Sequence, residues 1–206
     1  MKAVMMSVQP EWCAMIANLL KTIEVRKTRP NLKPPFKCYI YCTKGFPMLW
    51  KDGKKVFIAD SKYEWLHFTP DPLNGKVIGE FVCDRIYCYA SDYCGCHPSD
   101  PGDISTEEIS RMSCLSPKQL YEYEHSAEPK ENCIYLYGVY GLHISKLKIY
   151  DEPLEITQFI KPCPNSDVCE SCAVYSEFKD RCGNAALQIR RPPQSWYYVE
   201  EGVFSA

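Results

Sequence analysis

The sequence predicts a mainly β (α+β) domain whose sheet closes on itself, with short peripheral helices and a cysteine-rich insertion near the C-terminus. Three observations carry that expectation. At least six short runs rich in Val, Ile and Tyr recur along the chain, whereas only two stretches have helical spacing. The 206 residues, 46% of them hydrophobic, suit one domain spanning 1–206 with a substantial core. Closing the sheet removes the exposed edges that so many short strands would otherwise leave.

The elements follow in order. Pro10 suits a first helical turn, and Trp12, Met15, Ile16 and Leu19 recur at helical spacing, so residues 10–20 read as a short amphipathic helix. TIEVR alternates: Ile23 and Val25 point one way, Thr22, Glu24 and Arg26 the other, which marks a strand with one polar face. Pro30, Pro34 and Pro35 punctuate a loop before the strand CYIYC at 38–42, where Tyr39 and Tyr41 share a face. Residues 43–75 show no sustained period and read as a long functional loop or a small insertion. VIGEFVC (77–83) and IYCY (86–89) are strands, and LSPKQLYEYEHS opens a helix at Ser116 with Pro117 in its first position. Strands return at CIYLYGV, GLHISKLKIY, ALQIR and WYYVEE.

Composition excludes several classes. No apolar run approaches the roughly 18 residues a membrane span needs, so no membrane partner is expected. The N-terminus lacks the apolar core and small-residue cleavage site of a secretory signal, which gives a cytoplasmic expectation. Thirteen cysteines, an odd count, then read as reduced thiols or metal ligands rather than disulfides. The net charge of −2 conceals an asymmetry: residues 21–62 carry eleven Lys or Arg against Glu24, Asp52 and Asp60, so the remainder is acidic. A basic stretch on an acidic body focuses anions onto one face.

Chemistry concentrates in two places. Lys21, Glu24 and Arg26 put an ammonium, a carboxylate and a guanidinium within one turn and strand, and period 2 lets Glu24 and Arg26 share a cleft that Lys21 enters from the helix end. Near the C-terminus, in an insertion at about 161–185, Cys163, Cys169, Cys172 and Cys182 fall as Cx5CxxCx9C. A CxxC pair turns two thiolates toward one ion, and two further cysteines complete a tetrahedron. A structural Zn2+, an iron–sulfur cluster and four separate thiols are all compatible with that spacing. Cys94, Cys96 and His97 form a looser grouping, and Cys38, Cys42 and Cys83 sit at strand positions as small core residues.

The order of these blocks resembles the ASCH family of PUA-like barrels. Its GxKxxExR motif is matched by Lys21, Glu24 and Arg26, with Leu19 in place of the glycine. The resemblance extends through SVQPEW before the helix, YIYCTK at 39–44, VIGEF at 77–81, HISKLKIYDEP at 143–153 and RPPQSWYYVE at 191–200. It implies a twisted, closed barrel with a cleft beside the first helix, binding RNA or a modified nucleotide. In such a cleft Tyr39, Tyr41 and Trp196 are the stacking candidates, with Lys44 and Thr22 as further ligand contacts. Some members resemble amidohydrolases that deacetylate N4-acetylcytidine through a lysine, a threonine and a glutamate. Lys21 matches the lysine, Glu24 occupies the threonine's position with Thr22 nearby, and the glutamate falls near Glu122 or Glu124. The alternative to binding is therefore hydrolysis, with Lys21, Glu24 and Arg26 as catalytic candidates, Glu24 as general base on water and Lys21 stabilising the oxyanion.

Overall fold

The computed structural model describes residues 2–44, 48–51, 54–57, 74–89, 104–126, 138–164 and 184–201. Its strands are β1 (Lys2–Val8), β2 (Ile23–Arg26), β3 (Phe36–Cys42), β4 (Met48–Lys51), β5 (Lys54–Phe57), β6 (Val77–Cys83), β7 (Ile86–Tyr89), β8 (Val139–His143), β9 (Ser145–Leu154) and β10 (Trp196–Glu200). The helices are α1 (Pro10–Ala17), α2 (Thr106–Ser113) and α3 (Pro117–His125). None of these helices is long and apolar enough to cross a membrane.

The strands form a five-stranded sheet in the order β10-β1-β3-β6-β9, a three-stranded sheet β2-β8-β7 and the hairpin β4-β5. Strands β1 and β3 run parallel, as they can because α1 and β2 make the crossover between them; the other ladders are antiparallel. The chain passes between the two larger sheets at two corners, Asp84–Arg85 and Ile144. At these corners His143 N donates to Arg85 O (3.0 Å) and Ser145 Oγ to Val82 O (2.8 Å).

Among the described residues the fold is mainly β, with two larger sheets, neither of which closes into a barrel. Beside β2, Thr22 N donates to Met112 O at the end of α2 (2.8 Å), and Thr22 O accepts from Ile144 N (2.8 Å), continuing the pairing of β2 with β8.

The insertion at 43–75 includes the hairpin β4-β5. Two expectations are corrected. The segment GLHISKLKIY is two strands in different sheets, broken at Ile144. ALQIR is a 3-10 turn (Ala185–Leu187) with a single bridge from Gln188 to Ile160, and its ladder cannot extend because Pro192 and Pro193 lack N–H donors.

Strands β1 and β3, at the centre of the five-stranded sheet, are buried on both faces. Val4, Met6, Val8, Cys38, Ile40 and Cys42 point into a core between the two larger sheets, with Cys13 and Ile16 of α1 and Leu142 of β8. Ala3, Met5, Tyr39 and Tyr41 point to the opposite face, covered by Ile156, Phe159 and Ile189. A third core joins Ile23 and Val25 to Ile109 of α2 and Leu120 of α3. Both of these helices start on capping boxes, Ser105 with Glu108 and Ser116 with Gln119, and α2 was not anticipated although its STEE start carries that signature.

Candidate functional site

Helix α1 ends at Ala17, and Leu19 takes a left-handed φ of 60° that turns the chain into β2. This is the position where the ASCH motif has glycine, the residue that adopts this conformation without strain. The turn brings Lys21 inward: it is only 3% exposed, and its Nζ donates to Ser113 O (2.7 Å) and lies 3.5 Å from Glu24 Oε2. Alternation along β2 places Glu24 and Arg26 on one face, where Arg26 Nη2 meets Glu24 Oε1 at 2.8 Å and donates to Ser7 O at 2.6 Å. The three charged residues form a continuous buried row, Lys21–Glu24–Arg26.

Burial outweighs the attraction of Glu24 and lowers the pKa of Lys21 from its ordinary value. The Tyr123 hydroxyl is pushed up by burial, opposed by Arg26 and assisted by Glu24. The buried Cys13 thiol is raised well above its usual value by burial and then by neighbouring Cys42. Arg26 Nε is buried without a hydrogen-bond partner, at a cost on the order of 1–3 kcal/mol, whereas Glu24 Oε2 has its ion pair with Lys21.

The row lies at a cleft of about 460 Å³ between β2, the start of α1 and α3. Lys21, Glu24 and Arg26 all line it, and Trp12, Gln119 and Tyr123 contribute to its walls. Lys21 Nζ lies 5.1 Å from the Trp12 ring centroid, and Lys27 Nζ 5.4 Å from that of Tyr123. The Gln119 carboxamide is oriented by the cap, its Oε1 accepting from Ser116 N at 2.9 Å. The charged lining residues are Lys21 and Arg26 against Glu11 and Glu24, so the cleft itself carries no net charge.

The other sequence candidates lie elsewhere. Tyr39 and Tyr41 are buried on the far face of the five-stranded sheet, Tyr39 edge-on to Phe159 with centroids 4.9 Å apart. Their shared face was legible; which face meets the cleft was not. Trp196 pairs with Met6 across β10 and β1, and its Nε1 donates to Thr28 Oγ1 (3.0 Å), outside the cleft lining. Thr22 is held through its backbone, and Lys44 is exposed beside Gly75. Glu122 pairs with Lys118 on the exposed side of α3, whereas Glu124 is buried; neither lines the cleft. Cys163 is half-buried, whereas Cys169, Cys172 and Cys182, and the grouping Cys94, Cys96 and His97, lie outside the described residues. Among the described residues no three His, Cys, Asp or Glu side chains are arranged to hold a metal.

Trp12, Gln119 and Tyr123 were not anticipated. Trp12 closes the SVQPEW block, and Gln119 and Tyr123 stand four residues apart on α3, a spacing that puts both on one helical face.

No protein-family model and no curated protein matches the chain. Among solved structures, a tyrosine-to-phenylalanine variant of ZmASCH from Zymomonas mobilis matches with a TM-score of 0.51 at 14% identity, over 97% of this chain and 91% of that one. A serine-to-alanine variant of the same protein matches with a TM-score of 0.50 at 14% identity, over 97% and 89%. At that identity the likeness concerns the backbone arrangement, and the chain has an ASCH-like fold.

Proposed function

We propose that the chain binds a nucleobase in the cleft at β2, presented by RNA or by a modified nucleotide. The observation that supports this reading is the lining: a buried Lys21–Glu24–Arg26 row with Trp12 and Tyr123 beside it, in a space of about 460 Å³. A base is a planar aromatic with donors and acceptors along one edge, and stacking on one ring contributes about 1–3 kcal/mol. A free phosphate is a poorer match, because the lining cations are offset by Glu11 and Glu24.

Calorimetric titration with a panel of nucleosides and nucleotides tests the reading. Saturable binding is expected, weakened at least about tenfold by Trp12→Ala, the size of one lost stacking contact. No binding across the panel, or binding indifferent to Trp12→Ala and Lys21→Met, refutes it.

A second reading, amide hydrolysis, is favoured by the Lys21–Glu24 contact of 3.5 Å. Glu24 would take a proton from water as the oxygen attacks the amide carbonyl, and Lys21 would stabilise the oxyanion. Collapse breaks the C–N bond, and Glu24 returns its proton to the leaving amine. Acetate release from N4-acetylcytidine, absent in Glu24→Gln, is the expected signature; no release above buffer rejects this reading.

The cysteine-rich segment completes the proposal: Cys163, Cys169, Cys172 and Cys182 hold one structural zinc, in keeping with reduced thiols and a cytoplasmic location. Elemental analysis of protein purified without added metal is expected to give about one zinc per chain. Neither zinc nor iron in stoichiometric amount overturns it.

A further inference from the structure

The cleft carries no net charge, but two stretches connected with its rim are strongly basic. Residues 27–35 contain Lys27, Arg29 and Lys33, residues 188–195 contain Arg190 and Arg191, and neither stretch has an acid. The fold ties them together although they are far apart in sequence. Trp196 Nε1 donates to Thr28 Oγ1 (3.0 Å), and Asn31 N donates to Tyr198 Oη (2.7 Å). Tyr197 Oη donates to Arg191 O (3.0 Å), and Ser7 Oγ to Pro193 O (2.6 Å). Ser7, Arg26 and Gln194 line the cleft, so both stretches adjoin its lining.

Arg29, Lys33, Arg190 and Arg191 are exposed. Among the described residues none of the five cations faces a carboxylate at ion-pair distance. Two are held in place: Lys27 lies over Tyr123 and donates to Ser126 Oγ (2.7 Å), and Arg29 lies 5.5 Å from the Tyr140 ring centroid. A cation resting on an aromatic face keeps its charge while giving up part of the rotamer freedom it would lose on binding. On a chain with a formal charge of −2, five cations without a carboxylate partner among the described residues, on segments that adjoin the cleft lining, form a local attractive field for a polyanion.

We infer that the loops 27–35 and 190–195 form a phosphate-tracking rim for a single-stranded nucleic acid, one of whose bases enters the cleft. The inference rests on the base-binding reading for the second half of that statement and on the charge arrangement for the first. A single strand fits better than a duplex, because only an unpaired base can leave the stack to enter so confined a cleft. The division of labour is physical: the neutral cleft reads the base, and the rim supplies the salt-dependent attraction to the backbone.

The test is fluorescence anisotropy with a labelled twelve-nucleotide single-stranded RNA of mixed sequence, run across a salt series on the full chain. A parallel calorimetric titration uses free nucleosides. Neutralising about five phosphates predicts a log–log salt slope of about −3.5, since each contributes roughly 0.7 on a single strand. The double variant Arg190→Gln, Arg191→Gln is expected to flatten the slope by about 1.4 while leaving nucleoside binding unchanged. Arg29→Gln, on the other loop, is expected to flatten it by about 0.7.

A slope unaltered by these variants overturns the inference, as does equal affinity for a duplex or equally effective competition by polyglutamate. Nucleoside binding without a gain for the oligonucleotide also overturns it, leaving the base-binding reading intact. Rim-dependent binding of the oligonucleotide without nucleoside binding keeps the rim and refutes the cleft reading, so the two failures are separable.

Discussion

Replacing Glu24 by Gln removes the anion that lies between two buried cations. In the folded chain Glu24 is 2.8 Å from Arg26 and 3.5 Å from Lys21. At an effective dielectric constant near 20, unit charges at those separations attract by about 6 and about 5 kcal/mol before the cost of desolvation. Much of that attraction offsets the removal of three charges from water, so the net worth of the row is small. Breaking it is different, because the partners stay buried without compensation. The expected cost of Glu24→Gln is therefore about 3–5 kcal/mol. Lys21 can limit the damage by releasing its proton, since burial already lowers its pKa. Adding Lys21→Met to Glu24→Gln removes one uncompensated cation and keeps most of the stem volume, so the double variant is expected to regain at least about 1 kcal/mol over the single one. Urea unfolding gives both values from shifts in midpoint at constant m. A Glu24→Gln chain within about 1 kcal/mol of the parent, a loss well below the buried-pair range, or strict additivity of the two substitutions would refute the picture of a coupled buried row.

Leu19→Gly is expected to stabilise by up to about 1 kcal/mol, because glycine adopts φ 60° without strain and Leu19, 70% exposed, has little burial to lose; thermal unfolding measures it, and a lower melting temperature contradicts it. Phe159→Ala, at a fully buried residue packed on Tyr39, is expected to cost about 3–5 kcal/mol by urea unfolding, and a loss under about 1 kcal/mol would show that this face is not core. Burial raises the pKa of Asp84, but the hydrogen bond from His143 (2.6 Å), the attraction of that ring's charge and a hydrogen bond from Ser145 together lower it below the ordinary carboxylate value. Its contribution to stability is thus present above that ordinary value and lost as pH falls through the lowered one; Asp84→Asn should flatten this acid limb of the stability profile, and an unaltered limb refutes the assignment.

Alternation alone placed Glu24 and Arg26 on one side of β2, because a strand's period of two is a local property. The start of α3 at Ser116 and Pro117 was equally legible, since a cap and a first-turn proline act within four residues. The strands Val77–Cys83 and Ile86–Tyr89 were readable from their β-branched and aromatic runs, and the order of blocks implied the ASCH-like backbone. Local pattern could not say which face of a doubly buried strand meets the cleft. Tyr39 and Tyr41 share a face, but only the segment carrying Ile156 and Phe159, packed across it, makes that face core. Nor could it place Ser113 O against Lys21, or Pro193 against Ser7, contacts spanning 92 and 186 residues. Periodicity reports a residue's neighbours along the chain, whereas a cleft is made where distant segments meet, and that meeting is decided by packing of whole elements.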